Sequence, residues 1–145
     1  MMDKARIDFL IREGRLKVRK PDIPRVRSML ESAKNNLRVV KKIPITSDSA
    51  TLVFREIYES IRQVGDARLW SLGYEPLSHD VSMEILKEIK IKEAVELHGL
   101  DRFRRTRNNA NYRGYRVTVE QAIEISDFWD KCMREIIREI ENSIR

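Results

Sequence analysis

Histidine, cysteine, glycine and proline are all scarce in this 145-residue chain, and each shortage closes off a class of protein. One cysteine, Cys132, cannot form an intramolecular disulfide and leaves no set of thiolates for zinc. With only His79 and His98 beside it, no metal centre is expected, and nothing in the composition implies a cofactor. Five Gly and four Pro leave few turn formers, so long regular elements should dominate. No apolar run approaches the ~18 residues of a membrane span. The N-terminal run MMDKARIDFLIREGR lacks the apolar core of a signal peptide, which points to a cytoplasmic chain without membrane contact. No stretch alternates with period two, so no sheet is expected.

What the chain does have is charge and helical periodicity. A 41% hydrophobic and 36% charged composition suits a folded, soluble protein, and the length suits a single domain spanning residues 1–145. The net charge of +6 is unevenly spread. Residues 1–42 carry +8, residues 43–101 carry −5, residues 102–116 carry +6 and residues 117–145 carry −3. Basic segments set apart in this way favour anionic partners. A competing account is the solvated surface of a heat-adapted protein, rich in Glu, Lys and Arg and poor in Gln.

Apolar spacing places the helices. A first helix is expected over residues 3–18, with Ile7, Leu10 and Ile11 on one side and a place at the periphery. Pro21 and Pro24 break the chain. A second helix carries Val26, Leu30, Ala33, Leu37 and Val40, and ends before Pro44. Thr46, Ser47, Asp48 and Ser49 signal the start of a third helix, because short oxygen-bearing side chains accept hydrogen bonds from unpaired N–H groups. That helix keeps Ala50, Val53, Phe54, Ile57, Ile61, Val64 and Ala67 in register for five turns and stops at Gly73. Ser78 is placed to cap a fourth helix with Val81, Ile85, Leu86 and Ile89, which blurs beyond Ile91 and which His98 closes. Thr118 and Gln121 have the spacing of a capping box. The last helix then presents Ala122, Ser126, Trp129, Met133, Ile136, Ile137 and Ile140. Trp70 and Trp129 fall at core positions. The sum is an all-α, antiparallel up-and-down bundle of four to five helices.

One stretch departs from that pattern. Residues 102–116, RFRRTRNNANYRGYR, hold six arginines and no Asp or Glu. Arg104, Arg107, Asn108 and Asn111 recur at the spacing of one helix face, and Arg105 and Arg113 add to its charge. A guanidinium grips phosphate through two parallel hydrogen bonds and stays charged at any biological pH. Asn108 and Asn111 add neutral donors, and Tyr112 and Tyr115 add stacking faces for bases. Residues five apart on a regular helix sit about 140° apart around its axis. Arg107 and Tyr112 are therefore expected to converge only if the helix unwinds after Ala110, near Gly114, or if two copies share a cleft.

The run Arg107, Asn108, Asn109, Ala110, Asn111, Tyr112, lying between a helix and a capped final helix, resembles the signature of HEPN domains (higher-eukaryote and prokaryote nucleotide-binding). The Gly73-Tyr74 loop before Ser78-His79 is also similar to members of that family. The resemblance implies a helical bundle that dimerises with the motif at the interface. It further implies RNA or nucleotide phosphate as ligand and, in a toxin–antitoxin-type pair, a nucleotidyltransferase-type partner protein. Active members are metal-independent ribonucleases with an arginine, a polar residue and a histidine in their motif. Arg107 matches the arginine and Asn108 the polar position, but Tyr112 stands where those enzymes have histidine. A phenol with a pKa near ~10 is a poor base at neutral pH. The expectation is thus a dimeric nucleotide- or RNA-binding module, with a ribonuclease (Arg107, Asn108 and Tyr112 catalytic) or a purely structural dimerisation module as alternatives. Arg104, Arg105, Asn111, Arg113 and His79 are the expected ligand-binding residues.

Overall fold

Four apolar stripes become four helical rods. The computed structural model describes residues 2–145, the side chain of Val95 excepted. In chain order it contains α1 (Lys4–Arg12), β1 (Leu16–Val18), α2 (Ile23–Val40), α3 (Ala50–Ser71), β2 (Tyr74–Pro76) and α4 (His79–Leu86). A 3-10 turn (Ala94–His98), α5 (Gly99–Arg113), α6 (Val119–Phe128), a π turn (Trp129–Met133) and α7 (Arg134–Ser143) follow. The last three elements join without interruption into one rod.

Side-chain contacts fix the directions of the rods. Lys34 meets Glu141 while Lys41 meets Asp130, so α2 runs against the last rod. The Val117 amide donates to Thr51 Oγ1, and Arg68 reaches Ser143 near the other end, so α3 and the last rod run the same way. Arg55 donates to the Ala110 carbonyl and Arg107 faces Glu59, so α5 opposes α3. The order is up, down, up, down: an all-α antiparallel bundle, with α1 and α4 as short additions.

Helix α3 is the element that the others surround. It buries residues on most of its circumference, from Ala50 and Phe54 through Ile57, Tyr58 and Ile61 to Trp70. Phe103 of α5 lies edge-on to both Phe54 of α3 (6.2 Å between ring centres) and Phe128 of α6 (5.2 Å), which ties three rods together. Edge-to-face pairs of this kind add about 0.5–1.5 kcal/mol each beyond the area they bury.

The ends of the elements depart from expectation in instructive ways. The first helix stops at Arg12, not near residue 18. Gly14 closes it with paired bonds, its own amide to Ile11 and that of Arg15 to Leu10, and the chain then extends. Leu16–Val18 pairs antiparallel with Tyr74–Pro76, Leu16 opposite Pro76 and Val18 opposite Tyr74. A three-residue strand is too short to carry a readable alternation, which is why the sequence suggested no sheet. Leu16 joins Met2, Leu10, Leu69, Val81 and Ile85 in a small cluster that seats α1 where α3 meets α4.

Pro24 does not break α2 but lies in its first turn, where a missing N–H costs nothing, and Asp22 caps that helix by accepting from the Arg25 amide. The start of α3 uses Thr46 as its cap: its Oγ1 accepts from the amides of Asp48 and Ser49. Ser49 Oγ turns back to the Pro44 carbonyl. Helix α4 ends at Leu86, yet Ile89 still reaches the core. His98 finishes the 3-10 turn that leads into α5 instead of closing α4. Both halves of the Thr118–Gln121 capping box are present. In the last rod Ile125 is buried where Ser126 was expected, and the π turn carries Trp129, Cys132 and Met133 inward.

One close approach sets the position of α4. A Cβ added at Gly65 would lie 2.2 Å from the Ser82 carbonyl oxygen, so α3 and α4 touch backbone to backbone there. Replacing Gly by Ala in an open helix would stabilise by about 1 kcal/mol. Here the collision is with main chain, which cannot rotate away, and overpacking of that kind costs about 1–3 kcal/mol or more. Gly65→Ala should therefore lower the urea midpoint, despite its better helix propensity. A midpoint equal to or above that of the parent chain would contradict the packing described.

Candidate nucleic-acid interface

The arginine-rich stretch forms a helix because nothing in it prevents one until Gly114. That glycine adopts φ 70°, and the Gly114 and Tyr115 amides both turn back to the Asn109 carbonyl. Helix α5 is regular through Arg113, so the backbone does not unwind after Ala110. Phe103 and Ala110 face the core. Arg104, Arg107 and Asn108 are half-buried on the side that meets α3 and α4, and Asn111 is exposed at the end of the same face.

The arginines are not uniformly free. Acids distant in sequence reach three of them: Glu124 pairs with Arg102, Asp80 with Arg104 (3.1 Å) and Glu59 with Arg107 (3.8 Å). The absence of acids within residues 102–116 is thus partly made good by the tertiary fold. Arg107 is the most enclosed of the three, its side chain only 14% exposed. Its guanidinium lies between the rings of Tyr58 (5.7 Å) and Tyr112 (5.8 Å) and donates to Asn108 Oδ1 at 3.3 Å. Arg107 and Tyr112 therefore meet within one chain on an unbroken helix. Their backbone positions diverge, but both side chains are long enough to close the gap.

Beneath Arg107 the charges continue across α3. Arg62 bridges Glu59 and Asp66, each at 2.9 Å, and Ser82 of α4 donates to Asp66. Burial pushes the Asp66 carboxyl above its ordinary range, and the Ser82 hydroxyl, Arg62 and His79 oppose that shift. His79 is exposed in the first turn of α4, beside Asp80 and within the electrostatic reach of Asp66. Arg104 Nε is buried and has no hydrogen-bond partner. Tyr58, 2% exposed, is the residue at the floor of this network. Burial raises its phenol to about 12, with Arg107 and Arg104 pulling down and Asp80 and Glu59 adding to the rise.

The outer end of α5 is different. Arg105, Asn109 and Tyr112 share one stripe at i, i+4 and i+7. Arg105 lies near Asp101 without a bridge, and Arg113 has no ion pair among the described residues. Arg116 donates to the Ser47 carbonyl at 3.0 Å. Tyr112 is 76% exposed and Tyr115 58%, both far more than buried packing would leave. This end offers unneutralised guanidinium groups beside two open aromatic faces. Among the described residues, no three His, Cys, Asp or Glu side chains are grouped so as to hold a metal ion. No helix there is long and apolar enough to cross a membrane.

Comparison with family models, with curated proteins and with solved structures found no match for this chain.

Sequence reasoning had missed the supporting groups Tyr58, Glu59, Arg62, Asp66, Asp80 and Ser82. Tyr58 carried a usable signal: it follows Phe54 at i+4 and precedes Ile61 at i+3, a polar tip inside an apolar stripe. The acids did not, because their partners lie on other helices.

The raised Tyr58 phenol has a consequence for stability. Its folded value of about 12 exceeds the ordinary 10, so the neutral phenol is favoured by folding. Its contribution is complete below pH 10 and is lost as pH rises towards 12, to the order of 2 kcal/mol. Urea unfolding between pH 9 and about 12 should therefore show a decline that is shallower in Tyr58→Phe. Identical slopes for the two chains would contradict the placement of Tyr58.

Proposed function

We propose that this chain is a HEPN-like module that binds single-stranded RNA, or a nucleotide, through the outer end of α5. Phosphates sit on Arg105 and Arg113, and bases stack on Tyr112 and Tyr115. The observation that supports this reading is the coincidence of unpaired arginines with two open tyrosine rings in a segment free of acids. The C-terminus of a helix carries partial negative charge, so attraction for an anion there has to come from the side chains. Arg104, Arg107, Asn108 and His79 form the inner wall. Arg107 is held by Glu59 and two rings, so its role is to fix Tyr112 in place and to offer its remaining N–H groups to a phosphate that displaces Glu59. In this reading the chain works as a homodimer with the α5 faces adjacent, which would double the arginines in the cleft. It would act with a nucleotidyltransferase-type partner protein in a toxin–antitoxin-type pair.

Binding is favoured over cleavage by the state of Tyr112. Residue 112 is a phenol where proton transfer at neutral pH calls for an imidazole, and a phenol is the poorer general base for a 2′-hydroxyl proton. The ribonuclease alternative keeps one point in its favour, the contact of Arg107 with Asn108 at the half-buried wall, which could cradle a pentavalent phosphate.

The test is a mobility-shift titration with a uridine-rich single strand in EDTA. Stacking contributes about 1–3 kcal/mol per base, so Tyr112→Ala should weaken binding roughly 5- to 100-fold. Arg105→Glu combined with Arg113→Glu should weaken it further and flatten its salt dependence. Unchanged affinity in both variants would overturn the proposal. RNA cleavage in EDTA that Arg107→Ala abolishes would replace it with the ribonuclease reading.

A further inference from the structure

A small polar cavity lies where α1 and the turn before β1 meet α4 and the N-terminal half of α5. Its volume is about 240 Å³, and Met83 is the one apolar side chain among the described residues that line it. Each of its three carboxylates already has a partner. Arg6 holds Glu84 by two hydrogen bonds, at 2.9 and 2.6 Å, and Lys87 holds Asp101 at 2.6 Å. Asp80 pairs with Arg104 at 3.1 Å. The fourth cation, Arg15, is half-buried, and its side chain has neither ion pair nor hydrogen bond among the described residues. Arg104 is itself incompletely used, because its Nε is buried with no hydrogen-bond partner. A buried N–H left unmet is costly, more so on a charged group, and in a native fold it marks a place where an acceptor belongs.

The walls of this cavity are set by the fold. The Arg15 amide donates to the Leu10 carbonyl at 2.9 Å, and the Arg15 carbonyl accepts from the Leu77 amide at 3.0 Å. Leu10 and Leu16, which flank that residue, are both buried in the cluster that seats α1. The double grip of Arg6 on Glu84 ties α1 to α4, and the pairs Lys87–Asp101 and Asp80–Arg104 tie α4 to α5. Arg15 and Arg104 are therefore presented from two separately anchored elements.

We infer that this cavity binds a phosphate group, free or as the head of a small phosphate monoester, gripped by the guanidinium groups of Arg15 and Arg104. The charge balance decides the sign of the occupant. Three carboxylates are neutralised and one guanidinium is left over, so an anion is attracted, whereas a metal cation would have to break existing ion pairs. The donors decide its class. A guanidinium offers a fork of N–H groups that matches two oxygens of a phosphate. The tetrahedral group can meet two forks from different walls at once, whereas a planar carboxylate presents a single edge. No aromatic ring among the described residues lines the cavity to hold a base, and Met83 is only 4% exposed. Arg15 takes no part in the outer end of α5, so this site stands or falls separately from RNA binding there.

The experiment is a titration of the isotopically labelled full chain with inorganic phosphate at fixed ionic strength, read by NMR from the arginine Nε–H signals. Acetate, chloride and a uridine-rich single strand serve as comparisons. Phosphate should shift the Arg15 and Arg104 signals together and to saturation, and acetate and chloride should not. Arg15→Gln should weaken phosphate binding, read at Arg104, by roughly tenfold or more. Arg15→Lys keeps the charge without the fork and should weaken it less, whereas Tyr112→Ala should leave it unchanged. Circular dichroism of the two Arg15 variants shows that their helices are intact. No saturable shift with phosphate, equal shifts with chloride or acetate, shifts spread evenly over the arginines, affinity indifferent to both Arg15 variants, or saturation by the RNA strand alone would each overturn the inference.

Discussion

The backbone contact at Gly65 governs the depth at which α4 lies on α3, and much of the candidate site depends on that depth. With no side chain at position 65, the Ser82 carbonyl can lie against α3, and Ser82 Oγ can donate to Asp66 one residue further on. The same placement brings Asp80, one turn earlier on α4, to α5. Asp80 then pairs with Arg104 at 3.1 Å. A larger residue at position 65 would lift α4 away and loosen the inner wall, although it touches no residue of α5.

Charge compensation then divides α5 into two parts. Its inner side is matched by acids supplied from α3, α4 and α6, and of those pairings the one between Arg107 and Glu59 has an enclosed guanidinium. Its outer end passes beyond the reach of those helices, so Arg113 and the two tyrosines remain facing solvent. Removing partners from charged groups at an exposed terminus costs little, because water solvates them. A ligand-binding surface can therefore sit at this end without weakening the fold. Arg107 lies at the boundary between the two parts, enclosed by Tyr58 below and capped by Tyr112 above.

The architecture was legible in the sequence where the helical period ran long. Ala50, Val53, Phe54, Ile57, Ile61, Val64 and Ala67 marked α3 over most of its length, and Thr118 with Gln121 marked the start of α6. Short-range exceptions were not legible. Leu16–Val18 forms a strand only because Tyr74–Pro76 is brought beside it, a pairing between residues about sixty positions apart that no local pattern encodes. Pro24 reads as a break from its effect within a helix, whereas the first turn tolerates it. The basic character of α5 was visible at once, as was the shared face of Arg104, Arg107, Asn108 and Asn111. Which arginines stay unpaired was not, since Glu59, Asp80 and Glu124 come from three other helices. The meeting of Arg107 with Tyr112 was hidden for another reason: backbone angles exclude it, and only the reach of two long side chains restores it.

The central claim is that nucleic acid contacts the exposed end of α5 and not the enclosed interior of the site. Ultraviolet cross-linking of a uridine-rich strand, followed by mass spectrometry of the digested protein, tests it most directly. The account predicts adducts on Tyr112 or Tyr115. Adducts confined to other segments, or none at saturating RNA, would contradict it.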